Sequence, residues 1–262
     1  MKPTPVVVAC GGVDPTGGAG LAQDVAFLAR LGVRAAPVVT ALAVQDDRAL
    51  RHVEAIEASL FREQLDAARE TYGASIRAIK SGLVVERAQA EAIAAAARAI
   101  PAPLVVDPVA VAGTGQRFIG GDVRRVLQPL IDGAALLLPN IAEAEELAGA
   151  TWTGDAAGLL ALARALAGPG RTVAVSGGHA PGDSVLLAVV APVGEKLVEA
   201  PRAERGATHG TGCALASAAA GYIASGLLPA DAAAAAHRFV AAVLASSAGV
   251  AGVRVSPEPW AG

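Results

Sequence analysis

The sequence contains few cysteines and no excess of basic charge. Of the 262 residues only Cys10 and Cys213 are cysteines, too few for a disulfide scaffold and the wrong number for a structural zinc site. Lysine and arginine number 21 against 24 aspartates and glutamates, so a net charge of −3 provides no positive field for a nucleic-acid backbone. We therefore expect a cytoplasmic protein that does not bind nucleic acid.

Apolar segments of the kind that target proteins to membranes are also scarce. The apolar run at residues 6–10 is shorter than that of a signal peptide. The uncharged stretch 206–230 is long enough to span a bilayer, but it contains His209, Pro229 and several glycines and hydroxyl residues. We interpret its alanine-rich part as a buried helix packed close to a sheet, and we expect no membrane partner.

The remaining composition, 53% hydrophobic with a mean hydropathy of +0.49, predicts a packed globular core. Short β-rich runs alternate with helical stretches, which is typical of a parallel sheet with helices on both faces. The predicted strands are 5–10, 35–40, 76–80, 103–107, 134–138 and 171–176, with a hairpin at 183–200. The predicted helices are 19–31, 59–72, 86–99, 120–131, 141–148, 155–167, 211–225 and 229–249. Since no linker, repeat or charge block divides the chain, residues 1–262 are expected to form a single domain.

Candidate functional residues follow the predicted strands, where ligands of open α/β sheets bind. The glycine-rich run 11–20 follows the first strand, Asp107 ends the fourth, Asn140 follows the fifth, and Ser176-Gly177-Gly178-His179 follows the sixth. The glycine-rich run lacks the Gly-Lys-Ser/Thr of a P-loop and the spacing of a dinucleotide-binding fingerprint, so both of those classes are disfavoured. The four histidines are too far apart in sequence to indicate a zinc site.

The strongest local signal is Thr208-His209-Gly210-Thr211-Gly212-Cys213 at the start of a predicted helix. Glycines there free backbone N–H groups to converge on an anion at the positive end of the helix. The alternative is an ordinary glycine-rich turn. The helix start is expected to lower the pKa of Cys213 and make it a base or nucleophile, whereas the alternative for a lone cysteine is a small buried apolar residue.

Asp107 and Glu143 are candidate Mg²⁺ ligands, because carboxylates at strand ends hold this cation through water beside phosphates. The alternative for Glu143 is a capping box with Asn140, three residues earlier, and the two roles are compatible. Asp24 and Gln45 could hydrogen-bond an amino-heterocycle, but on their own they are more typical of surface polar residues.

Taken in order, these motifs resemble the hydroxymethylpyrimidine/phosphomethylpyrimidine kinases of the ribokinase-like superfamily. The residues that carry the resemblance are 11–20 (Gly-Gly-Val-Asp-Pro-Thr-Gly-Gly-Ala-Gly), 40–45, 80–83, 106–109 (Val-Asp-Pro-Val), 139–143 (Pro-Asn-Ile-Ala-Glu), 176–179 and 208–213. The resemblance implies a three-layer αβα sandwich with a mostly parallel sheet. It also implies Mg²⁺ with ATP as phosphoryl donor, and transfer to the hydroxymethyl group of a thiamine pyrimidine precursor and then to its monophosphate. The family commonly forms homodimers.

The resemblance also implies a role for each matching residue. Gln45, Asp24 and Gly12 would hold the pyrimidine and Leu83 would pack on its ring. Cys213 would be the catalytic group, with the Gly210-Thr211-Gly212 backbone stabilising the transferring phosphoryl group. Asp107 and Glu143 would order Mg²⁺ and its waters, and the nucleotide would lie near Asn140, Ser176, Gly178 and Thr208.

One position departs from the family pattern. The family usually has lysine before Gly-Gly-His, where this chain has Ser176, so a positive charge near the nucleotide phosphates is missing. Either another cation compensates or phosphate affinity is reduced. Two alternatives stay open beside the thiamine kinase. One is a pyridoxal/pyridoxine kinase, because relatives in the superfamily share the Gly-Thr-Gly-Cys form, and the other is a non-catalytic pyrimidine-binding sensor, which Ser176 favours.

Overall fold

The fold is built on one sheet flanked by helices. The computed structural model describes residues 3–46, 48–112, 115–178, 180, 182–202 and 210–246. The strands are β1 (Val6–Val13), β2 (Arg34–Gln45), β3 (Leu50–Ala55), β4 (Ile76–Ser81), β5 (Leu104–Val106), β6 (Leu136–Leu137), β7 (Thr172–Ser176), β8 (Ser184–Ala191) and β9 (Gly194–Pro201). The helices are α1 (Gly20–Arg30), α2 (Ala58–Tyr72), α3 (Arg87–Ala99), α4 (Val123–Gly133), α5 (Ile141–Ala148), α6 (Ala156–Leu166), α7 (Thr211–Ala224) and α8 (Pro229–Ser246).

The sheet is mostly parallel, as predicted. Its order is β3-β2-β1-β4-β5-β6-β7-β8-β9, and the six strands from β2 to β7 in this order are parallel to one another. The predicted hairpin at 183–200 is confirmed as β8 and β9, antiparallel at one edge. β3, antiparallel to β2 at the other edge, was not predicted. Its residues include exposed Arg51, His52 and Glu54, so it lacks the buried apolar run that identifies a strand.

The two faces of the sheet pack against separate helical layers. Val6 and Val8 of β1 belong to an apolar core that includes residues of α2 to α6, whereas Val7 belongs to a second core with α1, α7 and α8. Adjacent residues of a strand point to opposite faces, so a strand buried on both sides contributes to both cores. This is the three-layer αβα arrangement that the resemblance implied.

Helix α7 is buried on nearly all sides, because its alanines, Ser217 and Gly221 allow it to lie close to the sheet and to α1. A Cβ atom on Gly221 would lie 2.8 Å from Leu31 Cδ1 and 3.2 Å from Leu28 Cδ2. The interpretation of this stretch as a buried helix is thus confirmed. In the described part of the chain, no helix is both long and apolar enough to cross a membrane.

The chain changes direction across the sheet at β1. From β1 it proceeds to β2 and β3 on one side, and it then continues with β4 on the other side of β1. In open α/β sheets such a reversal opens a crevice at the carboxyl ends of the two strands. Gly12, near the end of β1, and Leu83, just after β4, lie at this edge of the sheet.

Candidate active site

The first turn of α7 forms one wall of the site and is held close to the first glycine-rich loop. Gly210 precedes the helix with φ of +89°, a conformation that favours glycine. A Cβ atom on Gly210 would lie 2.0 Å from the carbonyl oxygen of Gly18. Glycine at position 210 therefore lets the helix start approach the loop backbone and leaves its first N–H groups without helical partners.

Cys213 lies in this turn between two polar neighbours. The Gly20 backbone N–H and the Asp107 carboxylate both lie near enough to Cys213 to change its pKa, the first lowering it and the second raising it. Burial raises the pKa of Cys213 to about 12, and the nearby positive charge of Lys80 opposes that rise. The expectation that the pKa of Cys213 is lowered is therefore wrong, because desolvation outweighs the charge of Lys80 and the Gly20 backbone N–H, which act to lower it.

A buried ion pair lies beneath the turn. Lys80 of β4 and Asp24 of α1 are both 0% exposed, and Nζ lies 2.9 and 3.0 Å from the two carboxylate oxygens. Ser217 of α7 donates to Asp24 Oδ1 at 2.5 Å, so the pair connects α1, β4 and α7. Burial is the largest single influence on the pKa of Lys80 and lowers it, but the surrounding groups, of which the Asp24 carboxylate contributes most, together outweigh burial and hold that pKa above its ordinary value.

The surface interpretation of Asp24 is thus wrong, and sequence reasoning missed the role of Lys80. The signal that could have revealed it is a lysine within the apolar strand 76–81. A buried lysine needs an anionic partner, and Asp24 of α1 is that partner here.

Asp107 and Glu143 form a pair of buried carboxylates near the turn. The ideal Cβ position on Gly212 lies 3.8 Å from Asp107 Oδ1. Burial raises the pKa of Asp107 to about 6, with Lys80 opposing the rise. Burial, followed by the charge of Asp107, raises the pKa of Glu143 to about 8. Two neighbouring buried carboxylates with raised pKa values are stabilised in their charged forms by a cation.

The pair fits Mg²⁺ only with further ligands. Asp107 Oδ2 is buried and has no hydrogen-bond partner in the described structure. No group of three or more histidine, cysteine, aspartate or glutamate side chains suited to a metal occurs among the described residues. Two carboxylates with an unpartnered oxygen match a magnesium ion that keeps waters and substrate phosphates as its other ligands.

Glu143 also caps α5, as the alternative interpretation expected. Asn140 Oδ1 accepts from the Glu143 backbone N–H at 3.0 Å, and Glu143 Oε2 accepts from the Asn140 backbone N–H at 2.9 Å. This capping box leaves Glu143 Oε1 for other partners, so the cap and an electrostatic role are compatible.

The residues expected near the nucleotide are only partly brought together. Asn140 forms a parallel bridge with Ser176, whose backbone N–H donates to the Pro139 carbonyl at 3.0 Å. Gly178 lies two residues further, in the connection between β7 and β8. Thr208, with His179 and His209, lies outside the described residues.

The residues expected to hold the pyrimidine lie around the crevice. A Cβ atom on Gly12 would lie 2.9 Å from Leu83 Cδ2, so these two residues are in direct contact. Gly12 pairs with Ala41 on β2, and Ala41, Ala43 and Gln45 alternate on the buried side of that strand. Gln45 is 7% exposed, so its interpretation as an ordinary surface residue is also wrong.

Comparisons with known proteins agree with this geometry. Residues 14–256 match the family Phosphomethylpyrimidine kinase. The hydroxymethylpyrimidine/phosphomethylpyrimidine kinase of Rhizobium meliloti (strain 1021) is 33% identical over 248 residues, covering 93% of this chain and 92% of the relative. The protein of the same name from Streptomyces coelicolor is 31% identical over 223 residues, covering 85% of this chain and 82% of the relative.

Two solved structures share the fold. The pyridoxal kinase of Staphylococcus aureus in complex with ADP superposes with a TM-score of 0.85 at 23% identity, covering 96% of this chain and 93% of the other. The phosphomethylpyrimidine kinase of Clostridium difficile 630 superposes with a TM-score of 0.73 at 24% identity, covering 91% and 98%. With the sequence matches and the ordered site residues, these results identify the chain as a member of the phosphomethylpyrimidine kinase family.

Proposed function

We propose that this protein transfers the γ-phosphoryl group of ATP to the hydroxymethyl group of 4-amino-5-hydroxymethyl-2-methylpyrimidine, and then a second phosphoryl group to the resulting monophosphate, in thiamine biosynthesis or salvage. The observation that carries the proposal is the contact of the α7 turn with Asp107 beside the sheet reversal. An anion-binding helix start, a reactive side chain and a buried carboxylate meet there, as phosphoryl transfer requires.

The α7 turn would hold the transferring phosphoryl group. The backbone N–H groups of Gly210, Thr211 and Gly212 lie at the positive end of the helix, and N–H groups at a helix start have no intrahelical acceptor. Donors fixed in place before the reaction stabilise charge that develops on the equatorial oxygens. The close contact between Gly210 and Gly18 keeps this turn from moving when the charge appears.

Cys213 would accept the proton of the substrate hydroxyl and pass its own proton to Asp107. A thiol with a pKa of about 12 is protonated at neutral pH, so it accepts a proton only while it gives one away. The neighbouring Asp107 carboxyl would accept this proton, because with a pKa of about 6 it is mostly ionised at pH 7.

Asp107 and Glu143 would hold the waters of a Mg²⁺ ion that accompanies ATP. When bound, the ion neutralises charge on the nucleotide phosphates. The nucleotide would lie along Asn140, Ser176, Gly178 and Thr208. Two of these residues, Asn140 and Ser176, are joined by a β-bridge at neighbouring strand ends.

Gln45, Gly12 and Leu83 would hold the pyrimidine. The amide of Gln45 offers a donor and an acceptor to an aminopyrimidine edge, and the Gly12–Leu83 contact forms an apolar wall for the ring. Asp24 has both oxygens occupied by Lys80 and Ser217. We therefore propose that Asp24 fixes the positions of Lys80 and Ser217 and does not bond to the pyrimidine ring.

A coupled assay of ADP release tests the function. The purified protein is given MgATP with hydroxymethylpyrimidine, its monophosphate or pyridoxine, and we expect turnover with the first two. A strong preference for pyridoxine would assign the chain to pyridoxal kinases. Tight binding of the pyrimidine without turnover on any substrate would assign it to sensors.

We also propose that the protein is a cytoplasmic homodimer of single-domain subunits. Val13, Leu42 and Val44 expose 37%, 49% and 48% of their surface, and Val13 pairs with Leu42, so they form one apolar patch across β1 and β2. Sedimentation velocity is expected to give a dimer, and Leu42→Lys is expected to give a monomer. Leu228→Lys, at a residue 71% exposed elsewhere, is the matched control, and a dimer in both variants would exclude this patch.

A further inference from the structure

Arg202, directly after β9, binds the backbone of the connection between β7 and β8. Its guanidinium donates to four carbonyl oxygens, those of Gly178 at 2.8 Å, Ala180 at 2.5 Å, Gly182 at 2.6 Å and Ser184 at 3.3 Å. Its backbone N–H donates to the Asp183 carbonyl at 2.9 Å. Five hydrogen bonds from one residue therefore fix the described part of this connection, which we call the β7–β8 loop (177, 178, 180, 182 and 183).

The loop has few internal bonds of its own. Gly177 N–H donates to the Leu186 carbonyl, and the Ala180 N–H donates to the Gly177 carbonyl. Backbone carbonyls outside regular structure need donors, and the planar guanidinium, with five N–H groups in a fixed arrangement, can serve several carbonyls at once. A lysine ammonium at the same place has three donors on a single atom, which cannot reach four carbonyls spread along the loop.

The position of the loop connects Arg202 with the nucleotide. The loop follows Ser176, which bridges Asn140, and Gly178 belongs to it. Ser176 itself carries no charge, and it stands where the family usually has lysine. The guanidinium of Arg202 is thus a positive group bonded directly to the segment that lacks the lysine.

The same residue is close in sequence to the phosphoryl-binding turn. Arg202 ends the hairpin β8–β9, and Gly210 begins the α7 turn eight positions later. Four of the five guanidinium N–H groups are used, three by carbonyls of the loop and one by that of Ser184 at the start of β8, so the side chain would act on a ligand through the loop.

We propose that Arg202 is a positioning residue that holds the β7–β8 loop in the conformation that binds the phosphates of ATP, and so offsets the absence of a lysine at position 176. The proposal rests on the proposed kinase function. It assigns Arg202 to nucleotide binding and gives it no part in pyrimidine binding or in proton transfer.

Kinetics of Arg202→Ala and Arg202→Lys test the proposal. For Arg202→Ala we expect the KM for ATP to rise about tenfold or more, with the KM for the pyrimidine within about twofold of wild type. Arg202→Lys is expected to remain impaired, because it restores the charge without the four bonds. Free guanidinium at millimolar concentration is expected to restore part of the ATP affinity of Arg202→Ala. Arg164→Ala, which removes an exposed partner of Glu195 at the other end of β9, is the control and is expected to leave both KM values unchanged.

Several results would overturn the proposal. They are an unchanged KM for ATP, an equal rise in both KM values, and full recovery in Arg202→Lys, which would show that charge alone matters. If Arg202→Ala does not fold, Arg202→Lys decides between the outcomes.

Failure of the kinase function is recognised separately, as absence of turnover in the wild-type protein. Calorimetric titration with MgADP then tests Arg202 without catalysis. We expect weaker binding in both Arg202 variants than in wild type, together with faster hydrogen exchange in the β7–β8 loop. Equal MgADP affinity, or no MgADP binding in the wild type, would refute the assignment.

Discussion

At the scale of single residues, the proposed chemistry depends on a thiol and a carboxyl whose charged forms are disfavoured by burial. Burial raises the pKa of Cys213 to about 12 and that of Asp107 to about 6, and in the proposed reaction a proton would move between these two neighbouring groups without a net charge entering the site. The arrangement limits negative charge next to incoming phosphates, which carry several charges of their own.

Replacing Cys213 by alanine is expected to lower kcat by about 100-fold or more, because a positioned proton acceptor contributes this much to a transfer step. Circular dichroism should show an unchanged fold. Cys10→Ala is the matched control, since Cys10 is the other thiol, fully buried in β1 and without a role in the reaction. Near-normal kcat in Cys213→Ala would exclude Cys213 from catalysis.

Gln45→Ala is expected to raise the KM for the pyrimidine about tenfold while leaving the KM for ATP within about twofold, because the amide would bond only to the ring. Steady-state kinetics with each substrate varied in turn measures both constants. Gln128→Ala on the exposed side of α4 serves as the control. Equal effects on the two KM values would show that Gln45 does not contact the pyrimidine.

Most residues of the candidate site could be predicted from their order along the chain, but their partners could not. Asp24 and Lys80 are 56 positions apart, and a lone aspartate in a helix carries no signal of a buried lysine on another strand. The pKa of Cys213 was predicted in the wrong direction because desolvation depends on packing from distant segments, which a local motif does not contain.

At the scale of elements, the small residues of α7 decide how closely α1 approaches it. Gly221→Ala places a methyl group 2.8 Å from Leu31 Cδ1, so we expect a loss of about 1–3 kcal/mol in the free energy of unfolding. Urea denaturation measures this loss.

Gly133→Ala at the end of α4 is the matched control. Its nearest neighbour, Leu104 Cδ2, is 3.6 Å away, and the same substitution there is expected to be neutral or to stabilise by up to about 1 kcal/mol. Equal stability of the two variants would contradict this reading of the α1–α7 contact.

The boundaries of elements depended on contacts that sequence periodicity does not report. Helix α4 continues through Pro129 to Gly133, although proline leaves the Arg125 carbonyl without its helical donor. Arg87 of α3 donates to that carbonyl at 2.7 Å. By contrast, the bounds of α5 were predicted correctly, because its capping box is local to Asn140 and Glu143.

At the scale of the whole molecule, stability should depend on pH through the buried carboxyls. The pKa values of Glu143, about 8, and Asp107, about 6, lie above their ordinary values of 4.5 and 3.8. The folded protein therefore binds more protons than the unfolded chain in this window, and the free energy of unfolding falls as pH rises from about 4 to about 8. Thermal denaturation without added metal at about pH 5 and about pH 8.5 measures the difference.

Glu143→Gln should make this pH dependence smaller, because it removes the larger shift and glutamine can still complete the capping box. Glu63→Gln, at an exposed position of α2, should leave the dependence unchanged. If Glu143→Gln and the wild type show the same pH dependence, folding does not raise the pKa of Glu143.

The overall architecture followed from the alternation of strands and helices, since a parallel sheet requires crossovers that pack on both faces. The distances between the loops could not be predicted from this alternation. They depend on the order of strands in the sheet and on close backbone contacts at glycines, such as that between Gly210 and Gly18.

The layer that covers one face of this sheet is largely supplied by α7 and α8, residues 211–246. A ribosome that has synthesised residue 201 has made all nine described strands, while the side of the sheet that bears Val7, Ala78 and Val105 still lacks most of its covering. Such a nascent chain exposes apolar surface and is prone to aggregation. Completion of the core on the ribosome must therefore wait for the last two described helices to leave the exit tunnel.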